Sequence, residues 1–155
     1  MYSGRFAPSP TGPLHLGSLL AAVASWLDAR FHQGRWILRI EDIDPPRAQA
    51  GADVEILRAL EAYGFEWDGE VYYQSRRLEA HRSIVRRLLD AGLAYPCGCS
   101  RQDLADCRRG PLGIIYPGRC RNGCDAPETA IRLRTDDRPV EFADRLQGLQ
   151  RQLLE

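Results

Sequence analysis

The chain has 155 residues, 44% of them hydrophobic and 27% charged, which is enough to bury one core with a small additional insertion. Its 21 acidic and 21 basic residues balance, so no overall field attracts a polyanion and any RNA contact must come from local patches. No apolar run is long enough for a membrane span and no basic leader precedes an apolar segment, so we expect a globular cytoplasmic protein.

The first thirty residues predict a strand, a rigid loop and a helix. A strand is expected from Tyr2 to Phe6, prolines and Gly12 exclude regular structure after it, and helical apolar spacing runs from Leu16 to Arg30. The helix would direct unsatisfied N–H groups and the positive end of its dipole towards the loop. We therefore expect an anion, above all phosphate, to bind there.

Two side chains beside this loop suit such a ligand. His15, just before the helix, can donate a hydrogen bond to a phosphate oxygen or stabilise charge developing on it. Arg5, at the end of the strand, lies where open parallel sheets bind ligands, and it can pair with a carboxylate. The alternative is a proline-stiffened turn with a hydrogen-bonded surface histidine, because most helix N-termini bind nothing.

A second strand completes a parallel unit. The helix is predicted to end at Gly34, and the segment from Arg35 to Ile40 reads as a strand. The apolar face of the helix is predicted to consist of Leu20, Val23, Trp26 and Leu27. Because strand, helix and strand in succession imply a parallel pair, the predicted fold class is α/β with a Rossmann-like parallel sheet.

Three carboxylates follow the second strand: Glu41, Asp42 and Asp44. Such a cluster can bind a metal ion, a ribose hydroxyl or a substrate ammonium group. For Asp44 we favour helix capping, because it precedes two prolines and a helix predicted to run to about Tyr63. Glu41 remains a ligand candidate because it directly follows a buried strand.

A third helix is predicted from about Arg76 to Ala91. Its inner face is predicted to contain Leu78, Ile84, Val85, Leu88 and Leu89. Its other side carries five arginines, namely Arg76, Arg77, Arg82, Arg86 and Arg87. These arginines either follow RNA phosphates or form an ordinary solvated helix face.

From Tyr95 to about Pro127 the sequence is rich in glycine, proline, arginine and cysteine, and a strand pattern resumes at Ala130. This segment lacks the apolar residues to fold alone, so we expect a structural zinc ion to stabilise it. Five cysteines without a signal peptide argue against a disulfide framework. A tetrahedral site could use Cys97, Cys99, Cys120 and Cys124, with Cys107 spare.

The run RFAPSPTGPLHLGS, from Arg5 to Ser18, resembles the signature loop of class I glutamyl-tRNA synthetases. Its HLGS segment stands where that class has a His-Ile-Gly-His type of motif, with Ser18 in place of the second histidine. Two further blocks are similar to the family: RIEDIDPPR, from Arg39 to Arg47, and the segment from Tyr72 to Ser100. The resemblance implies a class I synthetase catalytic core that activates glutamate with ATP and magnesium.

The resemblance also implies roles for individual residues. His15 and Gly17 would be catalytic, and both would bind ATP together with Ser18. Glutamate would be bound by Glu41 and by five consecutive residues, Arg5, Phe6, Ala7, Pro8 and Ser9. An arginine and a carboxylate on either side suit a zwitterionic amino acid.

The segment IYPGRCR, from Ile115 to Arg121, is similar to the glutamyl-queuosine branch of this family, in which a tyrosine and a cysteine complete a zinc site begun by Cys-x-Cys. The implied ligands are Cys97, Cys99, Tyr116 and Cys120. Cys124 competes for the fourth place, because a phenolate is a rare zinc ligand. A cluster of thiols without metal is the remaining alternative.

The branch resemblance implies that glutamate is transferred to queuosine in the anticodon stem-loop of tRNA(Asp). An ordinary glutamyl-tRNA synthetase is the alternative within the class, and an inactive synthetase-derived binding module is the alternative outside it. The sequence contains no lysine, and the later strands and lysine-bearing mobile loop of the class are not present in it. We therefore expect a fragment or a natural truncation that is monomeric and nearly inactive by itself.

The expected organisation has three parts. Residues 1–95 would form the first half of the catalytic domain, residues 96–128 the zinc-stapled insertion, and residues 129–155 the return to the core. The last segment, VEFADRLQGLQRQLLE, is expected to begin as a strand or ribbon and to end as a helix or loop.

Overall fold

The computed structural model describes residues 1–110, 113–125, 127, 130–136 and 138–154. The chain forms two compact units, Met1–Ala80 and His81–Glu155. No helix in the described ranges combines the length and the apolar character that a membrane crossing requires.

A three-stranded parallel sheet organises the first unit. Its strands are β1 (Ser3–Phe6), β2 (Arg35–Ile40) and β3 (Tyr72–Tyr73), in the order β1-β2-β3. The predicted parallel pairing of the first two strands is confirmed. The sequence pattern does not predict β3, because two residues are too few to show alternation. The helices are α1 (Leu16–Phe31), α2 (Ala52–Ala62), a 3₁₀ turn (Gln74–Arg77) and α3 (Leu78–Asp90).

The core of this unit forms around one face of β2. Trp36, Leu38 and Ile40 alternate along the strand, and each is 0% exposed. Trp36 stacks with Phe6 of β1 and with Phe65, at ring-centroid distances of 6.4 and 5.6 Å. Because these rings bury large apolar areas, they fix β1, β2 and the segment after α2 against each other.

The buried face of α1 differs from the predicted one. Its fully buried residues are Ala22 and Ala29, whereas Leu20 and Leu27 are 66% and 54% exposed. The prediction was wrong for these two leucines, because small alanines, rather than the largest side chains, face the sheet. Close approach explains this choice: a Cβ added to Gly4 of β1 would lie 3.1 Å from the Ala29 Cβ.

The helix prediction for the acidic segment was wrong at its start. α2 begins at Ala52 after Gly51, which has φ +82°, so Asp44 does not cap it. Asp44 instead closes a separate turn, in which its carbonyl accepts from the Arg47 N–H and its carboxylate contacts Arg47 Nε at 2.6 Å. The glycine in the left-handed region separates this turn from the helix.

The predicted inner face of α3 is also wrong in the described structure. No residue of α3 is buried, and Leu78, Ile84 and Val85 are between 36% and 50% exposed. Leu88 and Leu89 are half-buried. The helix is strongly amphipathic, but the described residues do not cover its apolar side.

The second unit contains most of α3 and, among the described residues, three antiparallel ribbons. β4 (Ala94–Cys97) pairs with β7 (Ala130–Leu133), β5 (Arg109–Gly110) with β6 (Gly113–Ile114), and β8 (Pro139–Asp144) with β9 (Gly148–Leu153). The strand expected at Ala130 is confirmed, while Glu128 and Thr129, at the expected boundary before it, lie outside the described residues.

The end of the chain forms a hairpin, so a helix there is wrong for the described residues. The Asp144 carboxylate accepts from the N–H groups of Leu146 and Gln147, both at 2.8 Å, and Gly148 has φ +74°. These contacts close the turn and let β9 pair with β8. Glu155 lies outside the described residues.

Asp68 ties the sheet to α1. Its carboxylate accepts from the Trp36 N–H at 2.8 Å and from Arg30 Nη1 at 3.1 Å, and its own N–H donates to the Trp36 carbonyl at 2.8 Å. The hydrogen bond from Trp36, followed by the Arg30 guanidinium, outweighs desolvation and lowers the pKa of Asp68.

We predict that Asp68→Asn lowers the free energy of unfolding by about 1 kcal/mol at neutral pH, a small effect because this side chain is 36% exposed. Since the pKa of Asp68 is lower in the folded protein, its contribution is complete at neutral pH and is lost as the pH falls through the folded-state pKa. The difference between wild type and variant, measured by urea unfolding, should therefore shrink in acid.

Glu70→Gln is the matched control, because Glu70 is an exposed carboxylate two residues further on. An equal loss in this control, or a loss in Asp68→Asn that does not change with pH, would contradict the prediction.

Candidate active site and metal centre

The loop after β1 is held by backbone from the segment after β2. The Glu41 N–H donates to the Pro8 carbonyl at 2.9 Å, and the Gln49 N–H donates to the Pro10 carbonyl at 2.8 Å. The Gln49 side-chain amide also donates to the Thr11 carbonyl at 2.9 Å. Prolines have no N–H of their own, so this loop depends on donors from a neighbouring segment. Nothing in the local sequence around Gln49 marks this contact, so it was not predictable from the sequence.

His15 caps α1 with its own side chain. Its Nδ1 accepts from the Ser18 N–H at 3.2 Å, and its Nε2 lies 3.1 Å from Ser18 Oγ. A neutral imidazole that accepts at Nδ1 carries its hydrogen on Nε2. His15 and Ser18 thus form one unit at the helix N-terminus, with a hydrogen-bond donor at Nε2.

Gly17 allows the imidazole to fold over the first turn of α1. A Cβ added to Gly17 would lie 3.2 Å from both Cε1 and Nδ1 of His15, closer than most Cβ contacts. A larger residue at this position would therefore push the ring away from the helix N-terminus. This packing gives a physical reason for glycine in the HLGS segment.

The candidate glutamate ligands lie along β1, the loop and the end of β2. Arg5 and Ser9 are exposed, Ala7 and Glu41 are half-buried, and Phe6 and Pro8 are buried. Phe6 belongs to the hydrophobic core, so its role is packing and its backbone is the part that faces the loop. The Glu41 backbone contacts Pro8, which brings this carboxylate close to the loop.

Glu41 forms an ion pair with Arg39, which lies near the end of the strand that Glu41 follows. Its Oε1 accepts from Arg39 Nη2, and the two side chains are about one third exposed. The arginine orients the carboxylate and partly neutralises its charge. A substrate ammonium group at Glu41 would therefore share this carboxylate with Arg39.

The neighbouring Asp42 has a different partner. Its carboxylate accepts from both the N–H and the hydroxyl of Ser75, at 2.9 and 2.5 Å. Burial acts to raise the pKa of Asp42, but the hydrogen bonds from Ser75 outweigh it and lower the pKa. Asp42 thus fixes the 3₁₀ turn after β3, a structural role that the sequence analysis did not separate from metal binding.

The candidate metal ligands come together in the second unit. The sulfur atoms of Cys97, Cys99 and Cys120 all lie within 4.8 Å of one another. The hydroxyl oxygen of Tyr116 lies 3.4 Å from Cys97 Sγ and 3.6 Å from Cys99 Sγ, and it accepts from the Cys120 N–H at 2.8 Å. Four residues separated by up to 23 positions in sequence therefore surround one point.

The distances in this cluster fit a tetrahedral ion. Metal–sulfur bonds of about 2.3 Å and metal–oxygen bonds of about 2.0 Å require sulfur–sulfur edges of about 3.8 Å and sulfur–oxygen edges of about 3.5 Å. The Cys99 and Cys120 sulfurs are 3.7 Å apart, and the Tyr116 oxygen lies 3.4 and 3.6 Å from two sulfurs. These three separations match the edges of a tetrahedral zinc site, and all three sulfurs lie within 4.8 Å of one another.

Contacts within the cluster favour the thiolate at Cys97 and Cys120, but not at Cys99. The Tyr116 hydroxyl acts to lower the pKa of Cys99, but burial and the sulfurs of Cys120 and Cys97 outweigh it and raise that pKa. A hydrogen bond from the Tyr116 hydroxyl, followed by the Gly98 N–H, lowers the pKa of Cys120 to about 6. Burial acts to raise the pKa of Cys97, but its contacts with Tyr116 and Arg132 outweigh burial and lower that pKa. Burial and the cysteine sulfurs raise the pKa of Tyr116, so a metal must displace its proton to bind the oxygen.

Two further cysteines differ from these three. Cys124 packs against the cluster, and its sulfur accepts from the Gly98 N–H at 3.2 Å. It is not among the three cysteines whose sulfurs converge. Cys107 is half-buried and does not belong to this hydrophobic cluster.

A comparison with known protein families identifies the family to which this fold belongs. Residues 2–126 match the family model described as tRNA synthetases class I (E and Q), catalytic domain. The chain belongs to this family. The predicted class I synthetase core is thus confirmed.

Curated relatives show to which branch of the family this chain is similar. The chain is 55% identical over 154 residues to a protein of Neisseria meningitidis serogroup B named Glutamyl-Q tRNA(Asp) synthetase, covering 96% of this chain and 52% of the relative. It is 56% identical to the protein of the same name from Chromobacterium violaceum, covering 98% of this chain and 52% of the relative. The chain therefore spans about half the length of these relatives.

A solved structure supports the same fold. The glutamate tRNA ligase from Elizabethkingia meningosepticum, crystallised in complex with its amino acid, has a TM-score of 0.79 and 29% identity to this chain. The match covers 98% of this chain and 36% of that one. The parallel sheet and the loop after β1 thus belong to a known synthetase architecture.

Proposed function

We propose that the full-length gene product activates glutamate with ATP and transfers it to queuosine in the anticodon of tRNA(Asp). The observation that carries this proposal is the 55–56% identity, over nearly the whole chain, to relatives named Glutamyl-Q tRNA(Asp) synthetase. The family membership supports the activation chemistry, and the loop after β1 supplies groups that suit it.

In the activation step, the carboxylate oxygen of glutamate attacks the α-phosphorus of ATP, and the bond to the bridging oxygen of pyrophosphate breaks. The α1 N-terminus directs N–H groups at the loop, and His15 Nε2 would exchange its contact with Ser18 Oγ for a hydrogen bond to a phosphate oxygen. Gly17 and Ser18 hold the imidazole in place. Magnesium, when bound, supplies further positive charge on the phosphates.

We assign glutamate binding to Arg5, Ser9 and Glu41, with the backbone of Phe6, Ala7 and Pro8 lining the site. Arg5 would pair with a carboxylate of the substrate, and Glu41 with its ammonium group. In the transfer step, queuosine attacks the glutamyl adenylate, and AMP leaves.

An ordinary glutamyl-tRNA synthetase is the second candidate, because the solved structures with similar folds are glutamate tRNA ligases. An inactive binding module is disfavoured, since His15, Gly17 and Glu41 are all retained. The identity of the tRNA that accepts glutamate distinguishes the glutamyl-queuosine activity from an ordinary glutamyl-tRNA synthetase. Catalytic turnover distinguishes both enzymes from an inactive binding module.

The first prediction concerns the acceptor. Incubated with ATP and radiolabelled glutamate, the full-length gene product should label tRNA(Asp) that contains queuosine and leave tRNA(Glu) unlabelled. Matched tRNA(Asp) without queuosine is the control and should also remain unlabelled. Label on tRNA(Glu) would select the ordinary synthetase instead.

The second prediction concerns His15. His15→Ala should lower glutamate-dependent exchange of pyrophosphate into ATP by roughly a hundredfold to a thousandfold, with little change in glutamate affinity, because the imidazole acts on the phosphate side. His15→Ser keeps a capping hydroxyl for α1 but lacks the imidazole. Recovery of exchange in His15→Ser would show that His15 only caps the helix.

We also propose that zinc binds to Cys97, Cys99, Tyr116 and Cys120 and stabilises the second unit. The fit of the sulfur and oxygen separations supports this ligand set over one that includes Cys124. The ion would be structural, since four protein ligands leave no open position for a substrate.

The third prediction is that the purified protein carries one zinc ion per chain when it is prepared without chelator. Cys99→Ser and Tyr116→Phe should each weaken zinc binding at least about tenfold in competition with a chromophoric chelator, because each removes one ligand. Cys124→Ser and Cys107→Ser are the matched controls and should bind zinc as the wild type does. Loss of zinc in Cys124→Ser but not in Tyr116→Phe would reverse the assignment of the fourth ligand.

A further inference from the structure

One cation lies directly against the proposed zinc ligands. Arg132, on β7, has its guanidinium carbon 4.0 Å from the centre of the Tyr116 ring. The same guanidinium hydrogen-bonds to the sulfur of Cys97. Arg132 therefore contacts two of the four proposed ligands at once.

The antiparallel ribbon determines this position. β4 and β7 pair so that Tyr95 lies opposite Arg132 and Cys97 lies opposite Ala130. Arg132 is thus close to Cys97, which ends β4, although the two residues are 35 positions apart in the sequence. No local sequence signal marks this arginine, because its neighbours Ile131 and Leu133 are ordinary strand residues.

Arg132 is held in this position at a cost. Its Nε is buried and has no hydrogen-bond partner among the described residues. An unsatisfied buried donor is unfavourable, so other contacts must offset this loss. The structure provides two such contacts for the guanidinium, namely the face of the Tyr116 ring and the sulfur of Cys97. Each contact attracts the cation more strongly when the Tyr116 oxygen or the Cys97 sulfur is ionised.

The net charge of the zinc-bound site explains how this contact could stabilise it. Three thiolates and one phenolate carry four negative charges, and a zinc ion offsets two of them. A fixed guanidinium beside two of these ligands reduces the remaining negative charge and so stabilises their ionised forms. Arginine suits this place because it stays charged and stacks on aromatic faces.

We propose that Arg132 is a positioning residue of the zinc centre, which raises zinc affinity by holding its positive charge against Tyr116 and Cys97. This inference rests on the proposed zinc site. Groups that contact metal ligands from outside typically contribute a factor of about 10 to 100 in metal affinity.

Arg134, which follows the last residue of β7, offers a matched control. Its guanidinium carbon lies 5.2 Å from the centre of the Tyr95 ring, and it donates to the Arg121 carbonyl at 2.6 Å. It is therefore also an arginine stacked on a tyrosine of this ribbon, but that tyrosine is not a proposed ligand. A general loss of ribbon stability would affect both arginine positions.

The experiment measures zinc affinity by chelator competition in the full-length gene product. Arg132→Gln should bind zinc about tenfold more weakly or worse. Arg132→Lys, which keeps the charge, should recover most of the affinity, and Arg134→Gln should stay within about threefold of wild type. At saturating Co²⁺, Arg132→Gln should show the same tetrahedral absorption spectrum as wild type, because its ligands are unchanged.

Each other result overturns the inference in a distinguishable way. Wild-type affinity in Arg132→Gln would show that the cation does not matter, while leaving the zinc site intact. Equal losses in Arg132→Gln and Arg134→Gln would indicate ribbon stability rather than charge. Failure of the wild-type protein to bind zinc would remove the proposed metal site itself.

Discussion

The burial of Trp36 is the interaction on which the first unit depends. Its ring stacks against Phe6 and Phe65, its indole N–H donates to Ser25 Oγ at 2.9 Å, and its backbone exchanges hydrogen bonds with Asp68. One side chain in the middle of the sheet thus fixes β1, α1 and the segment after α2. Because β2 is held in this way, Glu41 at its carboxyl end has a fixed position beside the Pro8 carbonyl. The candidate substrate site is therefore built on a rigid strand.

Among the described residues, the second unit buries far fewer apolar side chains than the first. Its buried residues form a cluster of Tyr95, Cys97 and Cys120, with Cys99, Tyr116 and Cys124 packed against it. The residues that would form a small hydrophobic core are therefore the same ones that offer metal ligands. A metal ion at this point would add binding free energy to folding free energy, which is how small domains compensate for limited cores.

Much of the first unit was predictable because its signals are local. The strand at Arg35–Ile40 alternates, α1 begins just after His15, and the pairing of β1 with β2 follows from the helix between them. The errors arose where tertiary contacts decide: Ala22 and Ala29, not Leu20 and Leu27, face the sheet, since the strand passes too close for larger residues. Likewise, Cys97, Cys99 and Cys120 could be grouped from their spacing, whereas Gln49 and Arg132 reach their partners only through the folded chain.

The β4–β7 ribbon has a consequence for how this part of the chain tolerates change. Its last pair, Cys97 with Ala130, brings together the two ends of the segment that contains the other candidate ligands. The free energy of closing a loop rises only slowly with its length, so the residues between Asp103 and the start of β5 at Arg109 can be lengthened at little cost while the ribbon stays paired. That stretch is consequently a suitable place to insert a peptide tag or a fluorescent label.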